Sequence, residues 1–169
     1  FEDEHEILAM ENFYNWPQLD LPGSLKNVYG LDDFNGVTIL KSEFFIDSIT
    51  NNYIIDMGDV SLGWAGELRE YDLYINGIKT GSTLGKDSSR YHTKLRKDYR
   101  KHYRTYPFEY ALSFMVPPQN IKVGRNEIAI RVIGSGDMNT PKVISGDSDV
   151  IALSKWKYKA SAEIYKQFN

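Results

Sequence analysis

Between Glu127 and Ile133 apolar and polar positions alternate. Ile128, Ile130 and Val132 point to one side, and Glu127, Ala129 and Arg131 to the other. A period of two predicts a strand with one face on a core and the other outward. Tyr53 to Met57 repeats the pattern, with Tyr53, Ile55 and Met57 on one face. Val37 to Ile46 is instead almost unbroken in apolar or β-prone residues, which suits a strand buried in a sandwich. Tyr71 to Gly81 is β-prone up to Asn76-Gly77 and then turns straight back. Asn-Gly accepts the two positive φ angles of a type I′ turn, so this stretch predicts a hairpin. Phe108 to Val116 predicts a further strand, closed by Pro117-Pro118 and a turn from Asn120 to Arg125 through Gly124. Val150 to Tyr158 predicts the last strand.

Other stretches break the period of two. In residues 83–107, Tyr91, Leu95, Tyr99 and Tyr103 recur at every fourth position. That spacing predicts an amphipathic helix inserted between strands and ended before Pro107. Ser161 to Phe168 reads as a short helical tail. Ile7, Leu8, Met10, Phe13 and Trp16 could line a short helix or an irregular lead-in, broken by Pro17 and by Leu21-Pro22-Gly23. Leu31 to Gly36 and Asn51-Asn52 read as turns, and Gly58 to Glu70 and Gly134 to Asp149 as loops. Strands outnumber helices. The expected fold is all-β: a β-sandwich jelly roll with one inserted helix and a short C-terminal helix, filling residues 1–169 as one domain.

Composition and charge change this picture little. A chain of 169 residues is long enough for a real core. The net charge of -3 gives no general reason to expect a nucleic-acid partner. The charge is uneven, however. Residues 83–107 hold Lys86, Arg90, Lys94, Arg96, Lys97, Arg100, Lys101 and Arg104 against Asp87 and Asp98, so the rest of the chain is acidic. That basic segment reads first as a solvated face whose tyrosines pack on the sandwich. Docking on an acidic partner surface, or on acidic glycan, membrane or nucleic acid, are the other readings. There is no cysteine, which excludes a disulfide framework and a thiolate zinc site. No run approaches the length of a membrane span. The chain begins at Phe1, and an excerpt from a longer protein is expected.

Four blocks, in order, resemble a known family. Asn35 to Phe44 resembles the first core strand of a galactose-binding-like jelly roll, a domain of sialate O-acetylesterases that also occurs in related form at the front of family 2 glycoside hydrolases. Tyr74 to Gly81 resembles its hairpin. Val116-Pro117, then Ile121 to Val132, resembles its next block, and Ile151 to Lys159 its last. Ile39 and Lys41 stand where the family usually has Trp and Arg. The resemblance implies a non-catalytic accessory domain lying beside an SGNH-type hydrolase domain of the same protein. The parent would be a periplasmic or secreted enzyme that removes O-acetyl groups from sugars.

Candidate chemistry is sparse. Gly146-Asp147-Ser148 spells an SGNH nucleophile block but has no hydrophobic strand, α/β context or downstream His, so it reads as a loop. His5, His92 and His102 lack metal or triad spacing and read as exposed. Catalytic residues are therefore expected to be none. Trp64, between Gly63 and Ala65-Gly66, and Trp16 are the candidates for stacking on a sugar ring. Asp72 and Asn76 are the candidates for polar contacts, against a plainer role in capping turns. Trp156 reads as core. A structural calcium is possible, with Asp32, Asp33, Asp59, Asp137 and Asp147 available, but no loop shows a ligand pattern that picks a site. Three functions stay open: the accessory domain, an independent carbohydrate-binding module or family 2 sugar-binding domain, and a structural or protein-interaction domain.

Overall fold

Strands account for nearly all of the regular structure among the described residues. The computed structural model describes residues 10–25, 37–61, 70–83, 93–97, 109–133, 137–146 and 149–161. A 3-10 turn over Met10–Asn15 leads into β1 (Gln18–Asp20) and β2 (Gly23–Ser24). Then come β3 (Val37–Ile46), β4 (Tyr53–Ser61), β5 (Glu70–Ile75), β6 (Ile78–Ser82) and β7 (Thr93–Lys97). After them follow β8 (Glu109–Val116), β9 (Gly124–Ile133), β10 (Asp137–Met138), β11 (Lys142–Ser145), β12 (Val150–Ala152) and β13 (Lys155–Ser161). One sheet has six strands in the order β1-β13-β3-β9-β5-β6, and the other has five in the order β12-β11-β4-β8-β7. β2 and β10 form a separate small pair. Every pairing among the described strands is antiparallel. The fold is thus an all-β sandwich.

The core is built as the alternation predicts. Leu40, Phe44 and Ile46 of β3, Leu73 and Ile75 of β5, and Ile128, Ile130 and Val132 of β9 line the inner face of the six-stranded sheet. Tyr53, Ile55 and Met57 of β4 and Leu112, Phe114 and Val116 of β8 face them from the five-stranded sheet. Each fully buried side chain of this kind contributes about 1.5–3 kcal/mol over its exposed state. Trp156 is fully buried among them, as its place in a strand implied. The β5–β6 hairpin closes at Asn76 (φ 50°) and Gly77 (φ 80°), the two positive angles that a type I′ turn needs.

The outward face of the six-stranded sheet is not a solvent face. Val37, Ile39, Tyr74 and Ala129 form a second buried cluster there, with Trp16 and Ile133 against it. Phe13 of the N-terminal turn is buried as well, and Lys41 on this face is only 2% exposed. A strand covered on both sides needs no polar side. This is why Val37 to Ile46 reads as nearly continuous rather than alternating.

Four expectations are corrected. The helix across 83–107 fails where it can be checked: Thr93–Lys97 is strand β7, paired with β8 from Thr93↔Phe114 to Lys97↔Tyr110. Pairing with a distant strand overrides the local period of four, and a Lys/Arg-rich sequence at a sheet edge discourages further pairing. The loop from Gly58 starts later, because β4 runs on to Ser61 through a bulge between Asp56 and Gly58 (φ 71°). The Gly134–Asp149 loop contains β10 and β11. The last strand is two strands on different sheets, since the chain crosses the sandwich at Leu153-Ser154. That crossing is held by Leu153 N donating to Pro141 O (2.8 Å), Leu21 N to Ser154 O (2.7 Å) and Trp156 Nε1 to Leu153 O (2.7 Å). The 31–36 turn and the 162–169 tail lie outside the described residues.

Candidate functional site

Four connections gather at one end of the sandwich. The register Ile46↔Gly124, Tyr53↔Val116 and Ser145↔Tyr53 brings together the β3–β4, β8–β9 and β11–β12 connections, with the Asn76-Gly77 turn beside them. Between the first and third of these lies a cleft of about 340 Å³. Ile46, Tyr53, Val143 and Ile151 line it together with Phe45, Asp47, Ser48, Thr50, Ser145 and Asp149. Phe45 is 61% exposed, although it lies within a mostly buried strand. Phe44 points into the core, so its neighbour must face the other way, and beyond the covered part of the sheet that way is solvent.

The rim is held by hydrogen bonds. Tyr53 Oη accepts from Thr50 N (2.8 Å) and donates to Ser48 O (3.5 Å), which fixes the β3–β4 connection over the cleft. Thr50 Oγ1 accepts from Gly146 N (3.2 Å), and Ser145 N donates to Asp149 O (3.0 Å), which ties the opposite rim. Ser145 Oγ is shielded from solvent and has no hydrogen-bond partner among the described residues.

The sequence candidates are scattered. Trp64 lies outside the described residues. Trp16 is half-buried on the outer face of the six-stranded sheet, with Lys41 Nζ 5.0 Å and Lys159 Nζ 5.9 Å from its ring. Asp72 is on the same face and is 4% exposed. It accepts from Ser82 Oγ (2.6 Å), pairs with Arg131 Nη1 (3.4 Å) and has Lys79 Nζ at 3.9 Å. A carboxylate this buried needs such partners, and they engage it inside the fold. Asn76 is at the cleft end. Its Nδ2 donates to Asn120 O and to Asn126 Oδ1 (both 2.9 Å), and its Oδ1 accepts from Glu127 N (2.9 Å). It joins the hairpin to the β8–β9 connection. Trp16 and Asp72 therefore share a face, while Asn76 belongs to the clefted end.

Sequence reasoning missed Phe45 and Asn126. The adjacent pair Phe44-Phe45 was the available signal for the first, because neighbours on a strand cannot both enter the core. Asn126 is buried. Its Oδ1 accepts from Lys122 N (2.7 Å) and its Nδ2 donates to Lys122 O (2.8 Å), so it organises the turn from inside.

Next to Phe45 on the outer face is a charged cluster. Arg125 meets Glu43 and Glu127 at 2.5 Å each and also donates to Tyr14 Oη, which donates to Glu43 Oε2 (2.7 Å). Partial burial pushes Glu43 up, but hydrogen bonds from Tyr14 and Arg125, with the Arg125 charge, hold it below the usual carboxylate range. The bond to Glu43 raises Tyr14, and burial adds to it. Burial works against the Arg125 cation, but its bonds to Glu43 and Glu127 outweigh that and keep it firmly charged. A smaller groove of about 250 Å³ lies alongside, between Tyr14, Glu43 and Lys155.

Other candidate chemistry is not gathered. His5, His92, His102, Asp147 and Ser148 lie outside the described residues, as do Asp32 and Asp33. Asp137 is exposed in β10. Among the described residues no three metal-ligating side chains cluster, and no helix is long and apolar enough to cross a membrane.

No protein-family model matches the sequence, and no curated protein matches it. Solved structures of two α-L-rhamnosidases are similar to it. The enzyme from Dictyoglumus thermophilum is 17% identical with a TM-score of 0.43, over 85% of this chain and 15% of that one. The enzyme from Aspergillus terreus is 15% identical with a TM-score of 0.42, over 89% of this chain and 17% of that one.

Proposed function

We propose that this chain is a non-catalytic, carbohydrate-associated β-sandwich domain that holds glycan in the cleft at the sandwich end. One observation carries the reading. Phe45, an aromatic residue 61% exposed, is among the residues that line a 340 Å³ cleft, together with Asp47 and Asp149 and with Ser48, Thr50 and Ser145. A sugar offers an apolar C–H face for the ring and hydroxyls for the polar groups, and small-ligand sites combine an apolar wall with a few convergent polar atoms.

The finer reading makes it the accessory domain of a sialate O-acetylesterase-like carbohydrate esterase, beside an SGNH-type catalytic domain. The four sequence blocks from Asn35 to Lys159 support it. An independent carbohydrate-binding module uses the same cleft without a neighbour.

Calorimetric titration of the 169-residue chain with a glycan panel tests the cleft. Saturable binding is expected, with Phe45→Ala weakening it by about threefold to tenfold, in line with the upper part of the roughly 0.5–1.5 kcal/mol of a stacked aromatic contact. Trp16→Ala and Trp64→Ala should leave it within about twofold. Binding that is lost in Trp64→Ala but kept in Phe45→Ala moves the site to residues 62–69 and sinks the cleft.

A further inference from the structure

We infer, on the reading that the cleft holds glycan, that it selects sugars by charge. It takes an amino sugar with a free ammonium group ahead of a neutral sugar, and a neutral sugar ahead of a uronic or sialic acid. The rim carries Asp47 and Asp149, both exposed, and among the described residues no Lys, Arg or His lines the cleft. The cation nearest in register is Arg125, the cross-strand partner of Phe45. It is already held by two carboxylates, Glu43 and Glu127, at 2.5 Å each, so that cluster adds negative charge on balance. Lys122, in the β8–β9 connection, is exposed and lines no part of the cleft.

Two like charges at the rim work directly against an acidic sugar. Its carboxylate would lose water beside Asp47 and Asp149 and find no guanidinium or ammonium among the described lining residues to replace it. An ammonium gains from both. In a solvated cleft each charge contributes modestly, so the whole series from amino to acidic sugar should span about tenfold in affinity. The preference should also fade with added salt, because the screening length at physiological strength is about 8 Å. The selection therefore turns away from the sialic acid that the sequence resemblance points to, and toward deacetylated amino-sugar chains.

The test uses three disaccharides of the same linkage, built from glucosamine, glucose and glucuronate, titrated into the full chain at low and at high salt. The expected result is the affinity order amino, neutral, acidic at low salt, compressed at high salt. The Asp47→Asn/Asp149→Asn double variant should level the order, and an unchanged circular dichroism spectrum shows that it still folds. Phe45-dependent binding in which glucuronate equals or exceeds glucose overturns the charge selection and leaves the glycan cleft standing. No binding of any probe, or binding indifferent to Phe45→Ala, sinks the cleft reading and this inference with it.

Discussion

Glu43 shows how one half-buried side chain on this sheet can make stability depend on pH. Its carboxylate lies directly opposite Glu127 across β3 and β9, a repulsive placement that Arg125 reverses by binding both. The folded state holds the Glu43 carboxyl below its ordinary value. Its contribution is therefore present above the unfolded carboxylate range, near pH 4, and is lost as pH falls through the lower folded value. The groups are about a third exposed, so the contribution is below about 1 kcal/mol. Urea unfolding of the native chain and of Glu43→Gln, from about pH 7 to about pH 3, should show a gap that closes on acidification. A gap constant with pH would mean that Glu43 acts through packing alone. At this scale the sequence is informative only where chemistry is local. Asn76 in Asn-Gly could be recognised as a turn former, whereas its bonds to Asn120 and Asn126 join positions 44 and 50 residues away and leave no local mark.

The hairpin is the element in which sequence and structure agree most closely, and Gly81 shows what its return strand requires. A Cβ at Gly81 would sit 2.0 Å from Phe114 Cδ1 and 2.8 Å from Cε1, so β6 can approach β8 only with glycine there. The pairing register also shifts between Leu73 and Tyr74, opposite this point. Gly81→Ala should cost about 1–3 kcal/mol or more as Phe114 leaves its place. Adding Phe114→Leu should restore part of the loss, as a double-mutant cycle by urea unfolding would measure. If Gly81→Ala proves neutral, the ring moves freely and the core here is loose. Strands whose alternation and turn residues are both local, β5, β6 and β9, were legible. β7, β10 and β11 were not. They exist by pairing with β8, β2 and β4, and a short polar strand carries no period of its own.

At the scale of the molecule, the two sheets must behave as one body for the clefted end to keep its shape. The cleft draws Phe45 and Ile46 from the six-stranded sheet and Tyr53, Val143 and Ile151 from the five-stranded one. The chain crosses between the sheets at Leu153-Ser154, and Trp156 locks that crossing through its buried ring and its bond to Leu153 O. The sequence marked Trp156 as core. It could not show that the strand around it divides, because Val150 to Tyr158 is equally β-prone on either side of the crossing. Trp156→Ala should lower stability by about 3–5 kcal/mol, a large share of a typical domain's 5–15 kcal/mol. The loss should fall on both sheets together. Far-ultraviolet and near-ultraviolet circular dichroism should report one coincident unfolding transition at a lower urea midpoint, with glycan affinity below that midpoint unchanged. Two separated transitions would mean that the sheets hold independently and that the cleft walls can part. In that case the rim geometry, and the charge selection built on it, would depend on what stabilises the sandwich from outside the chain.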